Sequence, residues 1–215
     1  ATIQEVCRLE PRSTDGLSLL GDLAGRRAID QRGPMTRQLE QIVKEEELEI
    51  DVERFAIGID ADQTDNSALA AGAAYVFRYD GVDWYQQAFI KASNTEQNDR
   101  FARDIALSPE GDSLAVGAYL EDGSATGING DQSDNSAENG GAVYLFRFGD
   151  GEWLQQAYVK APNIDPMDHF GASLALSAYG ETLVVGAPNE GSGANGIDGD
   201  QADNSAEESG AVYVY

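Results

Sequence analysis

The sequence predicts an all-β fold, a partial β-propeller of about three four-stranded blades, on three observations. DQTDNSA (62–68), DQSDNSA (131–137) and DQADNSA (200–206) recur at a constant interval of 69 residues, the mark of a repeat architecture. Aligning 82–146 with 151–215 gives 33 identities in 65 positions without a gap. Each full unit holds four short segments rich in β-branched and aromatic residues, separated by Gly, Asp, Asn and Ser, and no helix fits inside it. A four-stranded unit cannot bury both faces alone, and the small residues of its VGA and GAVY segments permit neighbouring sheets to approach as propeller blades do. A β-helix has much shorter rungs. Propellers typically use about 4 to 8 blades, whereas 215 residues hold about three units of 69. The expectation is therefore a piece of a longer protein, an assembly of copies, or an open stack, with truncation the simplest of the three.

In order along the chain, residues 1–54 form a divergent N-terminal segment. Subtracting 69 from the second unit puts its expected strands at RGPMTRQL (32–39) and KEEELE (44–49), neither of which carries the pattern. This quarter holds 8 basic against 12 acidic side chains, while 55–215 holds 6 against 26, so composition shifts with pattern. RRAIDQR (26–32) reads as a polar linker, 34–47 suits a short helix with Leu39, Ile42 and Val43 on one face, and LEIDV (48–52) alternates like a strand. The segment is either a divergent cap or a stretch translated out of register with an ancestral repeat. Residues 55–215 divide into a partial blade at 55–81 and blades at 82–148 and 149–215. In each full unit the strands are WYQQAFIKA (84–92) or WLQQAYVKA (153–161), FARDIALS (101–108) or FGASLALS (170–177), SLAVGA (113–118) or TLVVGA (182–187), and GAVYLF (141–146) or GAVYVY (210–215). A loop of about 22 residues separates the last two, long enough to suggest function.

Composition excludes several function classes. Net charge is −24 with one His and one Cys, so the surface repels phosphate backbones and anionic lipid, and no nucleic-acid partner or membrane insertion is expected. Cations are the expected small partners. Cys7 alone builds neither a disulfide framework nor a cysteine zinc site. No run of about 18 apolar residues spans a bilayer. Catalysis has little to work with, since a nucleophile, base and orienting acid would be built around His169, which faces Arg100 in the repeat alignment and reads as a surface residue. No spacing selects a carboxylate pair, and GSGANG (191–196) lacks the helix and lysine of a phosphate loop. No enzyme activity is expected.

FGASLALSAYGETLVVGAP (170–188) followed by SGAVYVY (209–215) resembles the FG-GAP repeat, the blade of the propeller at the head of integrin α chains and of many bacterial surface proteins. Phe170 and Gly171 match the "FG" and Gly186, Ala187 and Pro188 the "GAP"; the earlier unit has Phe101, Ala102, Gly117, Ala118 and Tyr119 there. The resemblance covers roughly 55–215. It implies an extracellular or cell-surface location, a role in adhesion or ligand binding, and calcium ions stiffening the blade loops. The family's calcium loop lies between the second and third strands, where this chain has SPEGDS (108–113) or SAYGET (177–182). Neither supplies the 6 to 8 oxygen ligands that calcium takes.

The acidic loops offer another set. Oxygen-bearing side chains fall at steps one, three and six: Asp60, Asp62 and Asp65; Asn129, Asp131 and Asp134; Asp198, Asp200 and Asp203. Glu138 and Glu207 close the shell, while Leu69 stands there in the first copy, and Gly130 and Gly199 permit the sharp turn. Hard oxygen donors without His or Cys favour calcium, with magnesium as the alternative. Equally, Asp, Asn and Ser bond nearby backbone N–H groups in folded turns, which by itself explains a repeated loop. Trp84 and Trp153 read as packing residues and the Gln pairs as outward-facing or strand-bridging. The sequence thus predicts a non-enzymatic extracellular or cell-surface module for a protein or glycan ligand, completed by further blades in a longer chain or by copies of itself. The alternatives are a scaffold within a larger propeller-containing hydrolase and a structural self-associating array.

Overall fold

The structure, a computed structural model, describes residues 6–8 and 57–215. The predicted linker (26–32), helix (34–47) and strand (48–52) lie outside the described residues. Among the described residues there are ten strands and no helix: β1 Val6–Arg8, β2 Ala74–Tyr79, β3 Trp84–Ile90, β4 Phe101–Leu107, β5 Ser113–Ala118, β6 Ala142–Gly149, β7 Glu152–Val159, β8 Ser173–Leu176, β9 Leu183–Ala187 and β10 Ala211–Val214. They form three antiparallel sheets, a first sheet in the order β1-β2-β3, a central sheet β4-β5-β6-β7 and a third sheet β10-β9-β8. The sheets are those of a partial propeller and do not close a ring.

The sheets and the sequence units are out of phase. The units 82–148 and 149–215 begin at the WxQQAY segment, yet β7 pairs with β6 and β3 with β2, so each such segment completes the sheet of the unit before it. Turn chemistry is the reason. Between β6 and β7 lie only Asp150 and Gly151, with φ of 52° and 94°, the two left-handed residues of a tight hairpin that makes its flanking strands neighbours. The connections out of β3 and β7 are far longer and carry the chain to the next sheet. The first sheet takes β1 in the place beside β2 that the repeat gives to its third strand, with Val6 opposite Val76 and Arg8 opposite Ala74. This pairing has no signal in the repeat.

Strand alternation sends side chains to both faces, and the central sheet is buried on both. Leu114, Val116 and Ala118 of β5 pack with Tyr144 and Phe146 against Val76, Ala88, Ile90 and Phe101, while Ala115, Val143 and Val159 pack on the other side against Phe170, Leu183, Val185 and Tyr213. All six residues of β5 are buried. Trp153 is 3% exposed and its indole N–H donates to Gln87 Oε1 at 3.1 Å, tying β7 to β3 across the sheets; Trp84 is 46% exposed beside Tyr79. His169 is half-buried rather than on the surface, 5.3 Å from the Tyr119 ring and 3.0 Å from Asn189 Nδ2 through its Nδ1, and burial lowers its pKa.

Glycine is required where sheets meet most closely. A Cβ on Gly141 would collide with the Phe170 carbonyl, and one on Gly72 with that of Phe101, both at positive φ. Replacing Gly141 with Ala is expected to cost about 2 kcal/mol or more through collision and backbone strain. Gly149→Ala, where a Cβ meets nothing within 4 Å, is expected to stay within about 0.5 kcal/mol of the parent. Urea unfolding of the two variants measures the contrast.

Candidate functional site

The three acidic loops precede β2, β6 and β10, and each folds upon itself. At step one, Asp60 Oδ1 accepts the Phe89 N–H at 2.9 Å and Asn129 Oδ1 the Tyr158 N–H at 3.0 Å, so these side chains cap the ends of β3 and β7. At step three, Asp62, Asp131 and Asp200 accept the N–H groups of Thr64, Ser133 and Ala202 at 2.8, 2.9 and 3.0 Å. At step six, Asp65, Asp134 and Asp203 accept those of Ser67, Ser136 and Ser205 at 2.9, 3.1 and 3.1 Å. These are the two-residue side-chain turns that Asp makes with its own backbone. The Ser133 and Thr64 hydroxyls also donate to Asp131 and Asp62, and the Ser124 hydroxyl to Asp134, lowering the pKa of all three carboxyls. Asp198, Glu138 and Glu207 are exposed.

The proposed ligand sets are thus not brought together: the carboxylates at steps three and six serve separate turns, and among the described residues no three acidic, His or Cys side chains converge on one point. The hairpin turns fit a calcium ion no better. Asp112 is paired with Arg147 at 3.1 Å and takes a hydrogen bond from Ser108, whose hydroxyl also accepts the Ser113 N–H. In the next unit Ser177 closes the turn by accepting the Thr182 N–H at 2.9 Å. A calcium ion would have to displace these donors.

What the loops do hold is the preceding inter-sheet connection. The Ser93 hydroxyl donates to Gln132 Oε1, Asn94 Nδ2 to the Gln132 carbonyl at 3.1 Å and Asn135 Nδ2 to Glu96 Oε2 at 2.7 Å. One repeat on, Asn163 Nδ2 donates to the Gln201 carbonyl at 2.8 Å and Asn204 Nδ2 to Asp165 Oδ2 at 2.6 Å. In the second and third copies the Gln and Asn of DQxDNSA are clamp residues.

Beneath the clamp lies a network that the sequence reading did not single out. Glu121, three residues past β5, and Lys160, just past β7, are 1% and 0% exposed and paired at 2.6 Å. Glu121 Oε1 accepts from the Tyr158 hydroxyl at 2.7 Å and Asn94 Nδ2 at 3.1 Å, and Oε2 accepts from the Gly123 N–H at 3.0 Å as well as from Lys160. The Tyr144 hydroxyl donates to Asn94 Oδ1 at 2.5 Å. Desolvation lowers the Lys160 pKa, Glu121 opposing it, and raises those of Tyr144 and Tyr158. Asn163, Glu190 and Tyr213 repeat the pattern at an interval of 69, with Asn163 Nδ2 donating to Glu190 at 3.0 Å and the Tyr213 hydroxyl to Asn163 at 2.7 Å. The signal was present in the sequence, since Lys-Ala-x-Asn and the Glu three residues past VGA stand in both full units.

Asp99 is buried beside this network, and desolvation, reinforced by Glu121, Glu96 and Asp122, raises its carboxyl to about 7. Its repeat equivalent Asp168 is raised to about 6, again chiefly by desolvation. A raised carboxyl binds its proton more tightly in the folded chain than in the unfolded one, so folding stability falls as pH rises from about 4 to about 7 through these groups. Asn in place of Asp99 removes that charge. The stability of Asp99→Asn relative to the parent is therefore expected to improve steadily between about pH 4 and pH 8, as followed by urea unfolding; a difference independent of pH would contradict the burial. For the loops, EDTA is expected to leave the melting midpoint unchanged, and calcium to raise it no more than magnesium does.

The family model described as FG-GAP repeat matches residues 84–146 and 153–215. No curated protein matches the chain significantly. The two matches cover more than half of the 215 residues and coincide with the units that supply the central and third sheets and their mutual packing. The chain belongs to the FG-GAP repeat family.

Proposed function

We propose that the chain is a non-enzymatic extracellular or cell-surface module that binds a protein or glycan ligand, with adhesion as the outcome. The observation that carries this reading is the pair of FG-GAP repeats. The exposed DQxDNSA loops support it, because they stand at the start of successive final strands and are pinned internally, so a partner meets preformed polar surface rather than mobile chain. The acidity of the chain favours a ligand carrying positive charge. Beads coated with the chain, applied to protein and glycan arrays, are expected to be retained saturably by one ligand class. Retention should be lost when residues 128–137 and 197–206 are replaced by short glycine turns. Absence of retention anywhere on arrays that include basic proteins would contradict the reading.

A further inference from the structure

The buried network holds an amine and a carboxamide on the two oxygens of one carboxylate. Lys160 Nζ donates to Glu121 Oε2 at 2.6 Å and Asn94 Nδ2 to Oε1 at 3.1 Å, while the Tyr144 hydroxyl donates to the carbonyl oxygen of the same amide at 2.5 Å. Glu121, Lys160, Tyr144 and Tyr158 are each at most 1% exposed. Together these are the parts of an acyl transfer: a nucleophile, a proton carrier touching both nucleophile and leaving group, and a donor on the oxygen where negative charge develops.

We propose that Lys160 and Asn94 form an intramolecular amide cross-link, with Glu121 as the proton carrier and Tyr144 as the oxyanion donor. Glu121 takes a proton from the Lys160 ammonium, a transfer favoured because the pocket desolvates both charges. The free amine attacks Asn94 Cγ, forming the Nζ–Cγ bond, and the Tyr144 hydroxyl stabilises the charge on Oδ1. The Cγ–Nδ2 bond breaks as Nδ2 takes up the proton that Nζ sheds and the one Glu121 carries, and leaves as ammonium. The carboxylate is restored, nothing is oxidised or reduced, and the reaction runs once per chain. Holding the three groups in one packed site replaces the encounter that slows this reaction between free amides and amines. The new bond joins the connection entering the central sheet to the residue leaving it, closing all four strands β4–β7 into one covalent ring.

The repeats supply internal controls. Asn163, Glu190 and Tyr213 sit in the same arrangement, and among the described residues no lysine donates to Glu190. Lys91, the counterpart of Lys160, has Gly25 and Val52 at the positions of Asn94 and Glu121, and its ammonium donates to the Gly72 carbonyl at 2.9 Å. One cross-link per chain is therefore expected.

The test is the intact mass of the purified, folded full chain, followed by denaturation and trypsin digestion. The expected result is a mass lower by one ammonia, no cleavage after Lys160, and a branched peptide joining Asn94 to Lys160. Lys160→Arg and Glu121→Gln should retain the full mass of their sequences. A parent chain of full sequence mass that is cleaved after Lys160 would overturn the proposal. So would loss of water instead of ammonia, which would put the bond on Glu121. A cross-link that persists in Glu121→Gln would remove the carboxylate from its assigned role.

Discussion

A carboxylate sealed between sheets is costly unless every lone pair is met, and Glu121 is such a group. Its two oxygens are met by Lys160, Tyr158, Asn94 and the Gly123 N–H, donors that come from the connection leaving the first sheet, from the loop after β5 and from β7. Removing any one partner leaves a buried polar group wanting. The position of the first sheet's exit relative to the central sheet is thereby fixed, and with it the seat of the loop above. Hydrophobic burial supplies the driving force on both faces of the central sheet, but it is non-directional. The polar node sets register, as the repeated Asn163–Glu190–Tyr213 arrangement does one sheet further on.

The acidic loops take their meaning from this node. Their aspartates at steps three and six are occupied within the loop, each accepting the N–H two residues on, so that negative charge is spread over separate turns rather than gathered around a point. The residues between the aspartates do the joining: the Gln backbone carbonyl receives an Asn from the preceding connection, and the Asn side chain reaches an acidic residue there. A loop of about 22 residues is held at both its edge and its middle. Such a loop presents a fixed surface to a partner at little cost in ordering.

Much of this was legible in the sequence. The 69-residue period, the strand segments and the small residues of VGA and GAVY foretold stacked sheets, and the FG and GAP residues foretold the family. The phase of the blade was not read, although Asp150–Gly151 carried it, because the units are cut at that turn and so divide its hairpin. Spacing by two and three along a loop matches a coordination shell and a pair of side-chain turns equally well, so the sequence left both readings open; in the structure the aspartates at steps three and six make the turns. The Glu121 network was missed because its members are scattered from Asn94 to Lys160 and only the sheet brings them together. The placement of Val6–Arg8 beside β2 has no counterpart in the repeat, so no internal comparison pointed to it.

Glu121 holds the inter-sheet connection and the clamp loop as one unit. Hydrogen exchange by mass spectrometry on the parent and on Glu121→Leu tests it most directly. Residues 92–100 and 129–140 are expected to lose protection together in the variant while the backbone amides of β5 and β6 stay protected. Protection lost only around residue 121, with the connection and the loop unchanged, would contradict it.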